Sequence, residues 1–313
     1  MRIPRLVLGM LAALAFASEP LVAGPKIGLL LKGRTPFWMA VQKGAQAAAD
    51  KAGAELIVKA PPTESDIGVQ IALVRALANQ GVQAIVIAPG SADSLAVPVA
   101  AAAANGVKVV VIDSPLSGSA GGVFVGTDQR AAGEAAGTLL AGLVSGNQEV
   151  ALLRHTQTGG ATLLREAGAI DALHTHDPQL TVHVDIYAGS AAGEAENRGE
   201  YLLTAHPNVR GIFASGTPGT MAMIQVLNEK KLAGHIRLVG SGFNLNPEVV
   251  ADLESGVLSG WVAQLPGEIG GQGVTRALEL VAGQSVPAKT DIHFIVVTKQ
   301  NLADPEVKAL LAD

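Results

Sequence analysis

The segment KGRTPFW, residues Lys32 to Trp38, places two cations, a hydroxyl and two adjacent aromatic rings between an apolar run and a helix-forming run. Only 3% of the residues are aromatic, so Phe37 and Trp38 side by side stand out against the composition. At the carboxyl end of a parallel strand, where ligands bind in open α/β sheets, such rings suit stacking on a ligand. Lys32 and Thr35 are candidate contacts beside them. The alternative is that both rings plug the core under the following helix.

The other candidates are polar residues at the ends of apolar runs. Asp113 closes VVVID, and a carboxylate after four apolar strand residues needs a polar purpose. Asp128 and Gln129 follow the next short run. Arg154 and His155 end ALL, and Arg165 sits on the helix beyond. Ser215–Thr217 end IFA, Asn244 follows the run that ends at Gly240, and Gln264 follows WVA. Each has a structural alternative: Asp128 and Thr217 suit helix caps, and Arg165 a solvated helix face. Together, fixed donors and acceptors beside an aromatic platform suit a neutral, polyhydroxylated ligand. Charge-assisted hydrogen bonds contribute roughly 1.5–3 kcal/mol each. A micromolar ligand needs about −8 kcal/mol, so roughly four or five such contacts with ring stacking suffice.

Enzyme and metal signatures are sparse. The sequence has no G-x-x-x-x-G-K-[ST] phosphate loop, no G-x-S-x-G elbow and no H-E-x-x-H. Gly240-Ser241-Gly242 lacks the third glycine of a dinucleotide fingerprint. His174, His176 and His183 lie close enough in sequence for a metal site, but surface histidines are the better reading. No cofactor is expected. Cysteine is absent, which excludes disulfides, thiolate catalysis and cysteine-ligated zinc. A net charge of −5 without any Lys/Arg-rich run gives no field for nucleic acid.

The elements that must position these residues alternate strand and helix. Strands are expected at 27–31, 55–59, 84–87, 108–112 and 123–125, with helices over 39–52, 66–79, 96–105 and 128–143. The order then restarts: strands at 149–153, 180–186, 209–214, 236–239 and 258–262, with helices over 161–173, 191–206, 217–230 and 247–255. A helix over 268–281 and a strand over 291–297 close the chain. Corresponding elements recur at roughly 30 residues, the length of one βαβ crossover unit. This predicts two Rossmann-like α/β lobes, each a parallel sheet flanked by helices. The tail completes both lobes, so the chain crosses between them more than once and makes a multi-strand hinge over a cleft. The expected division is 24–127 plus 265–291 for the first lobe and 128–264 plus 292–313 for the second.

Residues 1–23 read as a cleaved export signal: Arg2 and Arg5, then the apolar stretch Leu6–Ala17, then small residues. The apolar stretch is shorter than the ~20 residues that span a bilayer. An exported, periplasmic and monomeric protein without stable membrane insertion is expected.

Three passages, IGLLLKGRTPFWMAVQKGAQAAADKAGAELIV, LLTAHPNVRGIFA and WVAQLPGEIGGQGV, carry a resemblance over essentially the whole mature chain. The chain resembles the periplasmic sugar-binding proteins of the ribose-binding type, solute receptors of ABC importers with the type I periplasmic binding protein fold. The resemblance implies that Gln264 is the ligand-contacting hinge glutamine and that Phe37 and Trp38 sandwich the sugar ring. It gives Thr35 the place of an asparagine, makes Asp113 and Asp128 hydroxyl-binding aspartates, and makes Arg165 the arginine of an R-E-x-G helix. There are departures. The family's Asp-Arg pair is Asp113-Ser114, and the aspartate of its G-F-D-G turn is replaced by Asn244. These departures count against ribose and leave another pentose or hexose, a deoxy sugar, a polyol or a furanosyl signal. The implied function is capture of a sugar or polyol by hinge closure and delivery to a membrane permease. The alternatives are a co-receptor presenting the ligand to a sensor kinase or chemoreceptor, and an enzyme on the same scaffold. A related repressor is disfavoured, because no helix-turn-helix precedes the first strand.

Overall fold

The computed structural model describes residues 24–118, 122–144, 148–189, 193–243 and 245–311; the expected leader and Asn244 lie outside the described residues. The first half alternates β1 (Lys26–Leu30), α1 (Pro36–Lys51), β2 (Glu55–Lys59), α2 (Ile67–Asn79), β3 (Ala84–Ile87), α3 (Ala92–Ala104), β4 (Lys108–Ile112) and β5 (Val123–Thr127). The second half runs α4 (Gln129–Ala141), β6 (Glu149–Arg154), α5 (Gly160–His176), β7 (Val182–Tyr187), α6 (Glu194–Ala205), β8 (Val209–Ala214), α7 (Thr217–Glu229), β9 (Arg237–Gly242), α8 (Pro247–Ser255) and β10 (Gly260–Ala263). Then come α9 (Pro266–Val281), β11 (Lys289–Ile292), β12 (Ile295–Val297) and α10 (Pro305–Ala309).

The strands form two six-stranded sheets, ordered β11-β5-β4-β3-β1-β2 and β12-β10-β9-β8-β6-β7. All pairings are parallel except β12 on β10. Parallel strands buried on both faces read as continuous apolar runs, as AIVI of β3 does. In the first lobe, α1 and α9 cover one face around Ile27, Leu29, Val41, Ile269 and Val274. The opposite face packs Leu30, Val74, Leu77, Ile85 and Leu95 against α2 and α3. The second lobe repeats this with α4 and α5 on one face and α6, α7 and α8 on the other.

Several elements differ from expectation: α10 is additional, β9 runs on to Gly242, and two further differences bear on the layout. Helix α3 begins at Ala92 rather than Ala96, because Ser91 caps it by accepting the Ser94 N–H, and the Ala-rich turns carry the helix through Pro98. The single closing strand expected over 291–297 is two short strands, one in each sheet, so the last crossing falls between Ile292 and Ile295. With the passages from β5 to α4 and from β10 to α9, three segments join the lobes.

Candidate functional site

A cavity of about 410 Å³ lies between the lobes. Its first-lobe lining includes Lys32, Thr35, Phe37, Trp38, Glu64 and Asp113, and its second-lobe lining includes His155, Arg165, Thr217, Ser241, Phe243 and Gln264. Eight of the eleven expected site residues therefore share one hollow. Gln129 lies one bond behind the lining, Asp128 faces elsewhere, and Asn244 lies outside the described residues.

The first-lobe wall is built on the loops after β1 and β4. Pro36 and Phe37 open α1, so both rings project from the first helical turn. Phe37 meets Trp38 edge-on at 4.9 Å, and it meets Phe243 of the opposite lobe edge-on at 5.5 Å. Trp38 is 3% exposed and belongs to the first-lobe core, so it is a core residue and a cavity wall at once. Its Nε1 donates to Glu64 Oε1 at 2.7 Å. Burial by itself would raise the Glu64 pKa, but the facing His155 ring, the Lys32 charge and the Trp38 N–H bring it down to about 2. Lys32, buried, donates from Nζ to Asp113 Oδ2 at 2.7 Å and to Ser114 Oγ. The cation also lies 5.4 Å from the Trp38 ring centroid. Asp113 sits at φ 63°, and Ser114 N–H donates back to Ile112 O at 2.7 Å. This γ-turn is a strained geometry of the kind kept at functional positions.

The second-lobe wall is built on the close crossing of α4 and α5. Gly133 on α4 lies against the carbonyl of Arg165, where a Cβ would overlap backbone atoms, so only glycine allows this approach. The crossing sets Arg165 beside Gln129. Arg165 Nε donates to Gln129 Oε1 at 3.0 Å, Nη2 donates to the same oxygen, and Nη1 donates to Ser215 O at 2.6 Å. Gln129 Nε2 in turn donates to Gln264 Oε1 at 2.8 Å. These bonds use three of the five guanidinium N–H groups and leave two. Burial lowers the Arg165 pKa to about 10, opposed by the charges of Asp113 and Glu166, and the group stays charged at neutral pH.

Four expectations are corrected. Asp128 is half exposed and caps α4, accepting the Ala131 N–H at 3.1 Å; its carboxylate is committed to the helix and lies outside the lining. Gln129 also lies outside the lining and positions Arg165 and Gln264 instead. Arg165 is 2% exposed, so the solvated-face alternative fails. Arg154 pairs with Glu166 at 2.7 Å and packs over Tyr187, away from the cavity. Among the described residues no group of three or more metal-ligating side chains comes together; His183 bonds Glu149 and stacks on His206. Glu64 and Trp261 also line the cavity and went unflagged in the sequence. Glu64 stands in a polar break 26 residues from its indole partner, and no local pattern marks that contact.

Two α/β lobes joined by three segments around a polar, aromatic-walled cavity define a hinged solute-binding architecture. The chain belongs to the periplasmic binding protein domain family, whose model matches residues 27–285. It is 28% identical over 271 residues to a ribose import binding protein of Salmonella typhimurium, covering 85% of this chain and 87% of that one. Among solved structures it is similar to a carbohydrate transporter solute-binding protein from Agrobacterium radiobacter in complex with D-arabinose. That match has 30% identity and a TM-score of 0.86, covering 93% of this chain and 99% of that one. An ABC transporter solute-binding protein from Agrobacterium vitis with bound D-fucose matches at 31% identity and a TM-score of 0.85, covering 91% and 99%.

Proposed function

We propose that this protein is an exported, monomeric receptor that captures a small sugar or polyol by closure of its lobes and delivers it to an ABC-type permease. The observation that carries this reading is the composition of the cavity between the lobes. Its lining holds Lys32 and Arg165 against Glu64 and Asp113, two charges of each sign, beside aromatic walls. A balanced set of charges favours an uncharged guest, while its individual groups still offer strong bonds to hydroxyls. Asp113 Oδ1 and two N–H groups of Arg165 are free of protein partners among the described residues and suit ring hydroxyls. Phe37 and Trp38 supply the apolar face against which a sugar's C–H side packs. The sugars that similar proteins import or hold, ribose, D-arabinose and D-fucose, belong to this chemical class.

A guest that touches both lobes stabilises the closed state by its differential affinity. Binding of this kind needs no bond-breaking step, and the protein acts without turning over its ligand. Calorimetry with D-ribose, D-arabinose, D-fucose, D-allose and xylitol tests the reading. We expect at least one micromolar or tighter ligand, recovered chemically unchanged, with a change in Trp38 fluorescence. Binding by none of these, or conversion of the bound sugar, would sink it.

A further inference from the structure

Helix α5 begins without a cap of its own. Its N-cap residue is Gly159, which has no side chain to accept the first N–H groups. One of these, the Ala161 N–H, donates at 3.0 Å to Ser114 Oγ, which belongs to the opposite lobe at the end of β4. The same hydroxyl donates to Asp113 Oδ2 at 2.9 Å and accepts from Lys32 Nζ. A hydroxyl has one donor and two acceptor lone pairs, and all three are committed here. Ser114 is 1% exposed and does not line the cavity, whereas Lys32 and Asp113 do. It stands at the only described point where cavity-lining charges of one lobe and a helix terminus of the other share one atom.

We propose that Ser114 is a positioning residue that caps α5 across the cleft and so couples the Lys32–Asp113 pair to lobe closure. Opening the lobes withdraws Ala161 and hands both the helix N–H and the serine lone pair back to water. Closing restores the cap, and a ligand that orders Lys32 and Asp113 also orders the hydroxyl that receives α5. The coupling rests on the hinged-capture reading above, but the cap itself is a property of the unliganded chain.

The absence of cysteine makes the test direct, because two introduced cysteines are the only labelling sites. Ala101→Cys on α3 and Asn228→Cys on α7 place spin labels at exposed positions of the two lobes. Double electron–electron resonance then reads the closed-to-open ratio with and without D-arabinose. Ser114→Ala is expected to lower that ratio about fivefold, the typical effect of losing an N-cap. It should raise the D-arabinose release rate by a similar factor while leaving the association rate unchanged. Ser114→Thr, which keeps the hydroxyl, should restore both values. Equal distance distributions for wild type and Ser114→Ala overturn the proposal. So does a threonine variant as open as the alanine one, because volume rather than the hydroxyl would then set closure. A wild type that stays open in both conditions also overturns it. If D-arabinose does not bind but the unliganded distances shift as expected, the cap stands and the sugar reading loses that ligand.

Discussion

Lys32 and Arg165 are buried cations on the same cavity, and the two lobes hold them in opposite ways. Lys32 sits against a carboxylate, with Asp113 Oδ2 at 2.7 Å and both side chains 5% exposed. Arg165 touches only neutral acceptors, the Gln129 amide oxygen and the Ser215 carbonyl. Lys32 is therefore held by an ion pair within its own wall, while Arg165 is held by neutral acceptors and keeps two N–H groups for a guest. The difference follows from the groups themselves. An ammonium is a compact charge that a single carboxylate oxygen can hold, whereas the guanidinium fork spreads five donors and reaches several acceptors at once. A ligand thus meets a fixed ion pair on one side and a pre-aimed donor on the other.

The strongest attack on this contrast is Lys32→Met. It leaves Asp113 buried without its cation and should cost about 3–5 kcal/mol in urea denaturation. Adding Asp113→Asn should recover most of that loss, since asparagine tolerates the positive φ found there. Arg165→Met should act chiefly on affinity. Losing two charge-assisted bonds, roughly 3 kcal/mol or more, weakens sugar binding by at least about a hundredfold in calorimetry. An arginine variant that lost more stability than the lysine variant would break the contrast.

Glu64 sharpens it through pH. Its folded pKa of about 2 lies below its ordinary value of 4.5. Its contribution to stability is therefore complete above pH 4.5 and is lost as the pH falls toward about 2. With allowance for its partial exposure, the loss should reach about 2 kcal/mol, and Glu64→Gln should flatten the acid limb of the stability profile. The smallest effect is expected for Asp128→Ala. Removal of the α4 cap should lower stability by about 1 kcal/mol and leave sugar affinity unchanged. A clear loss of affinity there would return Asp128 to the cavity.

Much of the site was legible because strand ends announce themselves. Asp113, Gln264 and Thr217 each follow an apolar run, and in a parallel sheet those ends converge on one edge. Phe37 and Trp38 were legible against a composition poor in rings. Asp128 was ambiguous for a physical reason: a carboxylate before a helix serves equally as cap or ligand contact, and only its bond to Ala131 decides. Ser114 read only as a missing arginine. Its bonds to Lys32 and Ala161 span 82 and 47 residues, distances at which no periodicity operates.

The sequence by itself determined the alternation of apolar strands and amphipathic helices, the repetition of that unit and the chemical types available at the strand ends. Those are local properties, set by side-chain spacing against the periods of strand and helix. Only the tertiary structure decided which polar groups are spent on one another and which are left to meet a guest. Pairing depends on angstrom-scale distances between segments far apart in the chain. The approach of α4 to α5 at Gly133, which puts Arg165 on an amide rather than a carboxylate, is such a distance.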